Sequence, residues 1–270
     1  MTHPTRRAAL LTAGALLGAP GLVRAQAPDA LARVRRDGRI RIAMDLGAPP
    51  FGMMDNRMQP TGSEVDTANL LVADLGVPLE RVAVTSANRV PFLLTDRCDV
   101  VVSVFGITEE RRRVIDFSIP YAAVASVVAG LPADTVRGFA DLAGKRIAVT
   151  RGTTNDQELT RGIPRGTEIV RFEDDATSIT AVASGQVDYF ATAPALIEQV
   201  NQRRTNRPLE VKFTMRNFPY GVGLRQGEPA LKAWLDGWVR TNVANGKLEE
   251  IFRRYHGLGL PPEVLEAARA

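Results

Sequence analysis

Cysteine and histidine are almost missing from this chain. Among 270 residues there are one cysteine, Cys98, and two histidines, His3 and His256. A single cysteine excludes an intramolecular disulfide. It lies in Cys98-Asp99-Val100-Val101-Val102, an apolar run that predicts a buried strand, where a free thiol packs as a small hydrophobe. So few histidines exclude a zinc site built on several of them. A Ser-His-Asp triad would have only His256 to use, and its place between Tyr255 and Gly257 predicts a helix end instead. No lysine-bearing phosphate loop is present, and no motif marks a metal or a cofactor; neither is expected.

Charge of one sign is also lacking. The formal balance is 34 basic against 30 acidic residues. Three of the arginines, Arg6, Arg7 and Arg24, stand in the first 27 residues, which hold no acid. Without that segment the balance is 31 against 30, a net of +1, which gives no electrostatic case for nucleic acid or for an anionic membrane. The basic group Arg203, Arg204 and Arg207 stands beside Asn201, Asn206 and Pro208 and predicts a solvated helix end.

What is present begins with an export pattern. Thr5-Arg6-Arg7 precedes an apolar run from Ala8 to Val23, and Ala25-Gln26-Ala27 follows. A charged start, an apolar middle and an A-x-A-like site predict a signal peptide over residues 1–27 and a mature protein in the periplasm. The paired arginines fit a twin-arginine signal, with general secretion as the alternative. A membrane anchor is disfavoured, because the run is shorter than about 18 apolar residues and is broken by Gly14, Gly18, Pro20 and Gly21.

Beyond that segment strand and helix patterns alternate, which predicts an α/β fold with largely parallel sheets. Strands are expected at Arg39 to Met44, Val82 to Thr85, Val100 to Val104, Arg146 to Val149, Glu168 to Phe172, Val187 to Ala191, Val211 to Phe213 and Tyr220 to Leu224. Helices are expected at Glu64 to Leu75, Val90 to Leu94, Ala176 to Ser184, Ala193 to Gln202, Pro229 to Asn245 and Lys247 to Tyr255.

Three polar stretches at strand ends carry candidate chemistry. Arg89, in Thr85-Ser86-Ala87-Asn88-Arg89, lies between a strand end and a helix start, where open parallel sheets bind ligands. Its planar fork can grip a carboxylate through two hydrogen bonds. Gly106-Ile107-Thr108-Glu109-Glu110-Arg111 follows an apolar strand, with Thr108 as an N-cap and Arg111 one turn into a short helix. Arg151-Gly152-Thr153-Thr154-Asn155 turns from strand into helix and exposes backbone N–H groups at a positive helix end, a ready anion site.

Taken in order, these pieces resemble the polar amino-acid solute-binding proteins of bacterial ABC importers. The resemblance runs through Asp45 and Pro49-Pro50-Phe51, Gly62-Ser63-Glu64-Val65-Asp66, Asn88-Arg89-Val90-Pro91, and Ser184-Gly185-Gln186-Val187-Asp188. Its most specific part is Thr108-Glu109-Glu110-Arg111 with Asp116-Phe117-Ser118-Ile119-Pro120-Tyr121. It implies a two-lobed periplasmic-binding-protein-like fold of type II with a hinge between the lobes. Residues 34–125 plus 219–258 would form the first lobe and residues 130–214 the second. It also implies a non-catalytic, monomeric receptor that closes over a small carboxylate or amino-acid ligand and hands it to a membrane permease.

Carried over residue by residue, Arg111 and Thr154 would hold the ligand α-carboxylate, with Thr153 beside them. Asp45 would select the side chain, and Arg89 with Ser86 resembles the branch that takes acidic amino acids. Three positions depart from the pattern. Ala193 stands where an aspartate usually meets the α-ammonium, Gly106 where a Ser or Thr is usual, and Ala48 where an aromatic is common. The ligand would then be a carboxylate without an amine, or its ammonium would fall to Asp175 or Asp45. Two other readings remain: a periplasmic cyclohexadienyl dehydratase-like enzyme, with Glu64, Asp66 or Asp175 as its acid, and a sensory ligand-binding domain. The chain ends at Ala270, just after Pro261-Pro262, so no output module is expected for the latter.

Overall fold

The structure is a computed structural model that describes residues 29–270; the expected export signal lies outside those residues. In chain order the elements are α1 (Ala30–Asp37), β1 (Ile40–Met44), β2 (Met53–Met54), β3 (Pro60–Thr61), α2 (Ser63–Leu75), β4 (Leu79–Ala83), α3 (Arg89–Leu94), β5 (Val100–Val101), α4 (Glu109–Arg112), β6 (Ile115–Phe117) and β7 (Ala122–Gly130). Then come β8 (Arg146–Thr150), α5 (Thr154–Gly162), β9 (Glu168–Phe172), α6 (Asp175–Ala183), β10 (Tyr189–Thr192), α7 (Pro194–Arg203), β11 (Glu210–Tyr220), β12 (Gly223–Arg225), α8 (Pro229–Ala244), α9 (Lys247–His256) and α10 (Pro262–Arg269).

Two five-stranded sheets organise these elements into two α/β lobes. The first has the order β4-β1-β5-β12-β6 and the second β11-β7-β10-β8-β9. In the first, β1 pairs in parallel with β4 and β5, while β12 runs antiparallel to β5 and β6. In the second, β8 pairs in parallel with β9 and β10, while β7 runs antiparallel to β10 and β11. The sheets are therefore mixed rather than largely parallel. The antiparallel members are the strands on either side of the two passages between lobes, where the chain leaves one sheet and returns.

Each lobe has its own core. The first gathers Ile40, Ile42, Leu71, Val100, Tyr121, Tyr220 and Leu235; the second gathers Val127, Ala148, Val182, Phe190 and Leu196. Full burial of each Val, Leu, Ile or Phe among them is worth about 1.5–3 kcal/mol. Leu31 of α1 and Val264 of α10 also join the first core, so that core draws on residues on both sides of 34–258. Strands β7 and β11 pair from Ala122↔Tyr220 to Gly130↔Glu210 and carry the chain between the lobes. Where they leave the first core, the Tyr121 and Tyr220 rings meet edge-on, 5.1 Å apart.

Several strand expectations shift. The strand expected over Val100 to Val104 pairs only at Val100 and Val101, because the chain then bends and Val104 takes a left-handed φ of 44°. The short strand Val211 to Phe213 is part of the eleven-residue β11, whose register shifts between Val211 and Phe213 and again between Thr214 and Arg216. Those irregularities break the alternation that would have marked one long strand. His256 is the last residue of α9, ahead of the left-handed Gly257, and Cys98 is buried, its thiol pushed up to about 12 by desolvation.

Candidate functional site

The site is assembled from loops at the carboxyl ends of parallel strands. Asp45 follows β1, Val102 to Gly106 follow β5, Arg151 to Thr153 follow β8, and Asp174 and Asp175 follow β9. Strand ends are where backbone groups leave the ladder and side chains can face a crevice. Here the two sets of strand ends face each other, and the lobes touch across the seam. Arg111 Nη2 donates to the Gly152 carbonyl at 2.8 Å, and Gln157 Nε2 donates to Glu110 Oε2 at 3.1 Å.

Arg89 is only 3 % exposed. Its Nε donates to the Ser86 carbonyl at 3.1 Å, and Nη1 to the Ser103 and Val104 carbonyls at 2.8 and 3.2 Å. Its Nη2 reaches the Gly152 carbonyl of the opposite lobe at 3.4 Å. Arg111 donates from Nη1 to the Gly106 carbonyl at 2.6 Å. Both guanidiniums lie over the Phe105 ring, at 5.0 and 4.8 Å from its centre. Burial, followed by the neighbouring Arg89 charge, disfavours the Arg111 cation. The two buried cations thus converge on one oxygen from the second lobe, at a place where an anion would relieve them both.

That oxygen sits just ahead of the positive end of α5. Thr153 is its N-cap: the hydroxyl accepts from Asp156 N at 3.1 Å and donates to the Thr150 carbonyl at 2.7 Å, so it is occupied in shaping the turn. Thr154 is the first residue of the helix, buried, and its hydroxyl makes no hydrogen bond among the described residues. The Cγ2 of Thr154 packs against Gly106, where a Cβ would come within 2.6 Å of it.

The acids stand on the other side. Asp45 Oδ1 accepts from Gly47 N at 2.8 Å, while Oδ2 is buried without a partner among the described residues. Asp175, 8 % exposed, accepts on Oδ1 from the Thr150 hydroxyl at 2.6 Å, and that hydroxyl also pairs with Ser178 Oγ at 2.9 Å. Desolvation first, and the Asp45 charge as a lesser cause, push the Asp175 carboxyl up to about 6.

A cavity of about 50 Å³ joins these parts; it is lined by Arg89, Thr153, Thr154 and Asp175 together with Ala48, Phe51, Val104, Val124, Ala125, Asn155, Thr192, Ala193 and Leu196. Of the eight residues singled out from the sequence, four therefore line one space. Asp45, Ser86, Gly106 and Arg111 stand just outside its lining: Ser86 and Gly106 offer their carbonyls to the two arginines, and Arg111 meets the second lobe through Gly152. The apolar lining, Val104, Ala125 and Leu196 above all, carried no charge or motif by which the sequence could have announced it. Glu64 lies behind Val104, 2 % exposed, accepting from Val104 N at 2.7 Å and from the Tyr121 hydroxyl at 2.6 Å. Among the described residues no group of three or more His, Cys, Asp and Glu side chains could hold a metal ion, and no helix is long and apolar enough to cross a membrane.

Residues 40–258 match the family model of bacterial extracellular solute-binding proteins, family 3. The chain belongs to that family. Its fold is the two-lobed periplasmic-binding-protein-like α/β fold, which solved amino-acid-binding proteins share. It is 29% identical to the L-arginine-binding protein of Pseudomonas aeruginosa, over 89% of this chain and 95% of the other. It is 26% identical to the glutamate/aspartate import solute-binding protein of Salmonella typhimurium, over 95% of this chain and 91% of the other. Among solved structures it is similar to an ancestral amino-acid-binding protein described as a precursor of cyclohexadienyl dehydratase. There the TM-score is 0.75 and the identity 29%, over 83% of this chain and 98% of that one.

Proposed function

We propose that this family-3 protein is the exported capture component of an ABC importer. It would bind a small polar carboxylate, an acidic amino acid by preference, and release it to a membrane permease. One observation carries the reading. Arg89 Nη2 and Arg111 Nη2, from the first lobe, reach a single oxygen at the head of α5 in the second. A ligand carboxylate entering that seam would meet cations from one lobe and the N–H end of a helix from the other. Contacts from both lobes favour the closed state over the open one, which is what couples binding to hinge closure. The family relatives do not decide the ligand's charge: one is named for arginine and another for glutamate and aspartate, at nearly equal identity.

The dehydratase reading draws support from the ancestral neighbour and from Asp175, a buried acid in the cleft whose carboxyl is raised to about 6. Binding is favoured because Asp175 Oδ1 is held by Thr150 and, among the described residues, no second carboxyl, imidazole, thiol or amine lines the cavity. Turnover of a prephenate-like diacid by the purified protein would reverse this preference.

The test of the main reading is calorimetry on Arg111→Ala against a panel of amino acids and dicarboxylates. Loss of the cation should weaken binding of the panel's tightest member by about 2–5 kcal/mol, the range for one partner of a buried charge pair. Arg111→Lys should not restore it, since an ammonium cannot reproduce the planar fork. Unchanged affinity in Arg111→Ala would remove the anion grip from the seam.

A further inference from the structure

The cleft holds charges of both signs that do not neutralise each other by hydrogen bonding. Every guanidinium N–H that Arg89 and Arg111 donate goes to a backbone carbonyl: of Ser86, Ser103, Val104 and Gly152 for the first, and of Gly106 and Gly152 for the second. None goes to Asp45 or Asp175. Asp45 keeps a buried Oδ2 with no partner among the described residues. Asp175 is more than nine-tenths buried and lines the cavity. Its Oδ1 is fixed by Thr150, and its Oδ2 accepts no hydrogen bond among the described residues.

The rest of the lining gives a cation no acceptor stronger than the neutral hydroxyls of Thr154 and Thr192. Ala48, Phe51, Val104, Val124, Ala125, Ala193 and Leu196 have no side-chain acceptor. Asn155 Oδ1 is taken by the Ser126 hydroxyl at 2.5 Å. Among the described residues Asp175 is the one carboxylate in the lining. Its position is also fixed: it opens α6, directly after the N-cap Asp174, and the Thr150–Ser178 pair holds its other oxygen. Asp45 approaches from the first lobe, where Gly47 abuts α6 closely enough that a Cβ on it would lie 3.6 Å from Ala176 Cβ.

From this geometry we propose that Asp175 is the cation-recognising residue of the cleft, accepting the ligand's ammonium on its free Oδ2, with Asp45 supplying a second negative charge from the facing lobe. The inference rests on the binding reading above and narrows its ligand class to carboxylates that keep an amine. A zwitterion meets both halves of the cleft at once, carboxylate at Arg111 and Thr154, ammonium at Asp175. An amine-free dicarboxylate would leave a buried carboxylate facing a second anion, which is costly. The raised Asp175 carboxyl, for which burial is the first cause and Asp45 a further one, with the Arg89 charge opposing them, agrees with an acid that has no hydrogen-bonded counter-cation in the free protein.

The experiment uses matched pairs that differ only by the α-amine: L-glutamate and glutarate, L-glutamine and 4-carbamoylbutanoate, L-arginine and 5-guanidinopentanoate. Each is titrated by calorimetry into the full mature chain, into Asp175→Asn and into Arg111→Ala, with thermal melts to establish that each variant folds. Asn retains an oxygen for Thr150, so the fold should stand. The expected result is that the amine-bearing member of the best-binding pair binds at least tenfold tighter than its partner, and that Asp175→Asn weakens it roughly 10- to 100-fold, the loss of a hydrogen bond to a charged group. Equal affinity within that pair, or unchanged affinity for the amine-bearing member in a folded Asp175→Asn, overturns the assignment. If Arg111→Ala still abolishes binding in that case, the carboxylate reading survives alone. If no member of any pair binds, both fall together.

Discussion

Gly152→Ala should hold the lobes apart. Gly152 has a φ of 73°, and a Cβ built on it would lie 2.7 Å from Ala87 Cα and 3.1 Å from Ala87 N, across the seam. Both are backbone atoms and cannot swing away as a side-chain tip would. Restoring an ordinary contact of about 3.5–4.0 Å requires the lobes to part by roughly 1 Å. Two costs follow. The left-handed backbone disfavours a Cβ by about 1–2 kcal/mol in open and closed states alike. The second cost falls on the closed state only: the Gly152 carbonyl withdraws from Arg111 Nη2, now 2.8 Å away, and from Arg89 Nη2 at 3.4 Å. A hydrogen bond to a charged group is worth about 1.5–3 kcal/mol, so closure should weaken by about that much and ligand affinity by roughly 10- to 100-fold. Calorimetry gives the affinity, and small-angle scattering with and without ligand gives the closure. The shared cost should appear as a fall of a few degrees in the melting temperature of the free protein. Wild-type affinity together with wild-type compaction in Gly152→Ala would refute the reasoning.

Two further outcomes are expected. Burial pushes the Glu64 carboxyl up to about 7, so the folded chain holds a proton that the unfolded chain releases between that value and the ordinary carboxylate range. Stability from this group is therefore gained as pH falls from 8 to 5, on the order of 2–3 kcal/mol. Glu64→Gln should flatten that gain in urea unfolding at the two pH values; an equal pH dependence in both proteins would show that Glu64 does not titrate in this way. At the N-terminus, Arg6-Arg7, the apolar run and Ala25-Gln26-Ala27 predict a mature chain beginning near Pro28 in the periplasm. Intact mass of the protein from its native host checks this, and residues 1–27 retained in a membrane fraction would count against it.

The elements that the sequence announced are those whose signals are local. The helix α2 stops where Gly76 adopts a left-handed φ of 74°, and β9 spans Glu168–Phe172, as the pattern predicts. The strands between the lobes were less legible because they answer to two environments. Strand β7, Ala122–Gly130, begins against Tyr121 and Tyr220 in one core and ends among Val127 and Ala129 in the other, so its residues are buried on both faces for part of its length and show no period of two. Strand β11 has the opposite difficulty: Lys212 and Arg216 interrupt its apolar positions at the places where the register slips.

The same division explains the site. Charged residues at strand ends are visible in a sequence, and Arg89 and Arg111 were found in that way; Asp175 entered only through the family resemblance, as a substitute for the missing partner at Ala193. Which of their atoms are still available is not visible, because that depends on carbonyls distant in the chain. Arg89 looked like a free fork, yet Ser86, Ser103 and Val104 occupy three of its contacts within its own lobe, leaving Nη2 to face the seam. Thr153 and Thr154 are neighbours of one type with opposite fates: the first spends its hydroxyl on the helix cap, while the second keeps its own uncommitted. Ala193 was legible only as a missing acceptor. That absence becomes informative beside Asp175, which lines the same cavity with one oxygen uncommitted. An acceptor can be lost at one wall of a cleft without loss of the amine, provided another wall presents a carboxylate whose own hydrogen bonds are incomplete. On the proposed assignment, binding specificity is a property of unfilled valences, which only the folded arrangement of both lobes makes countable.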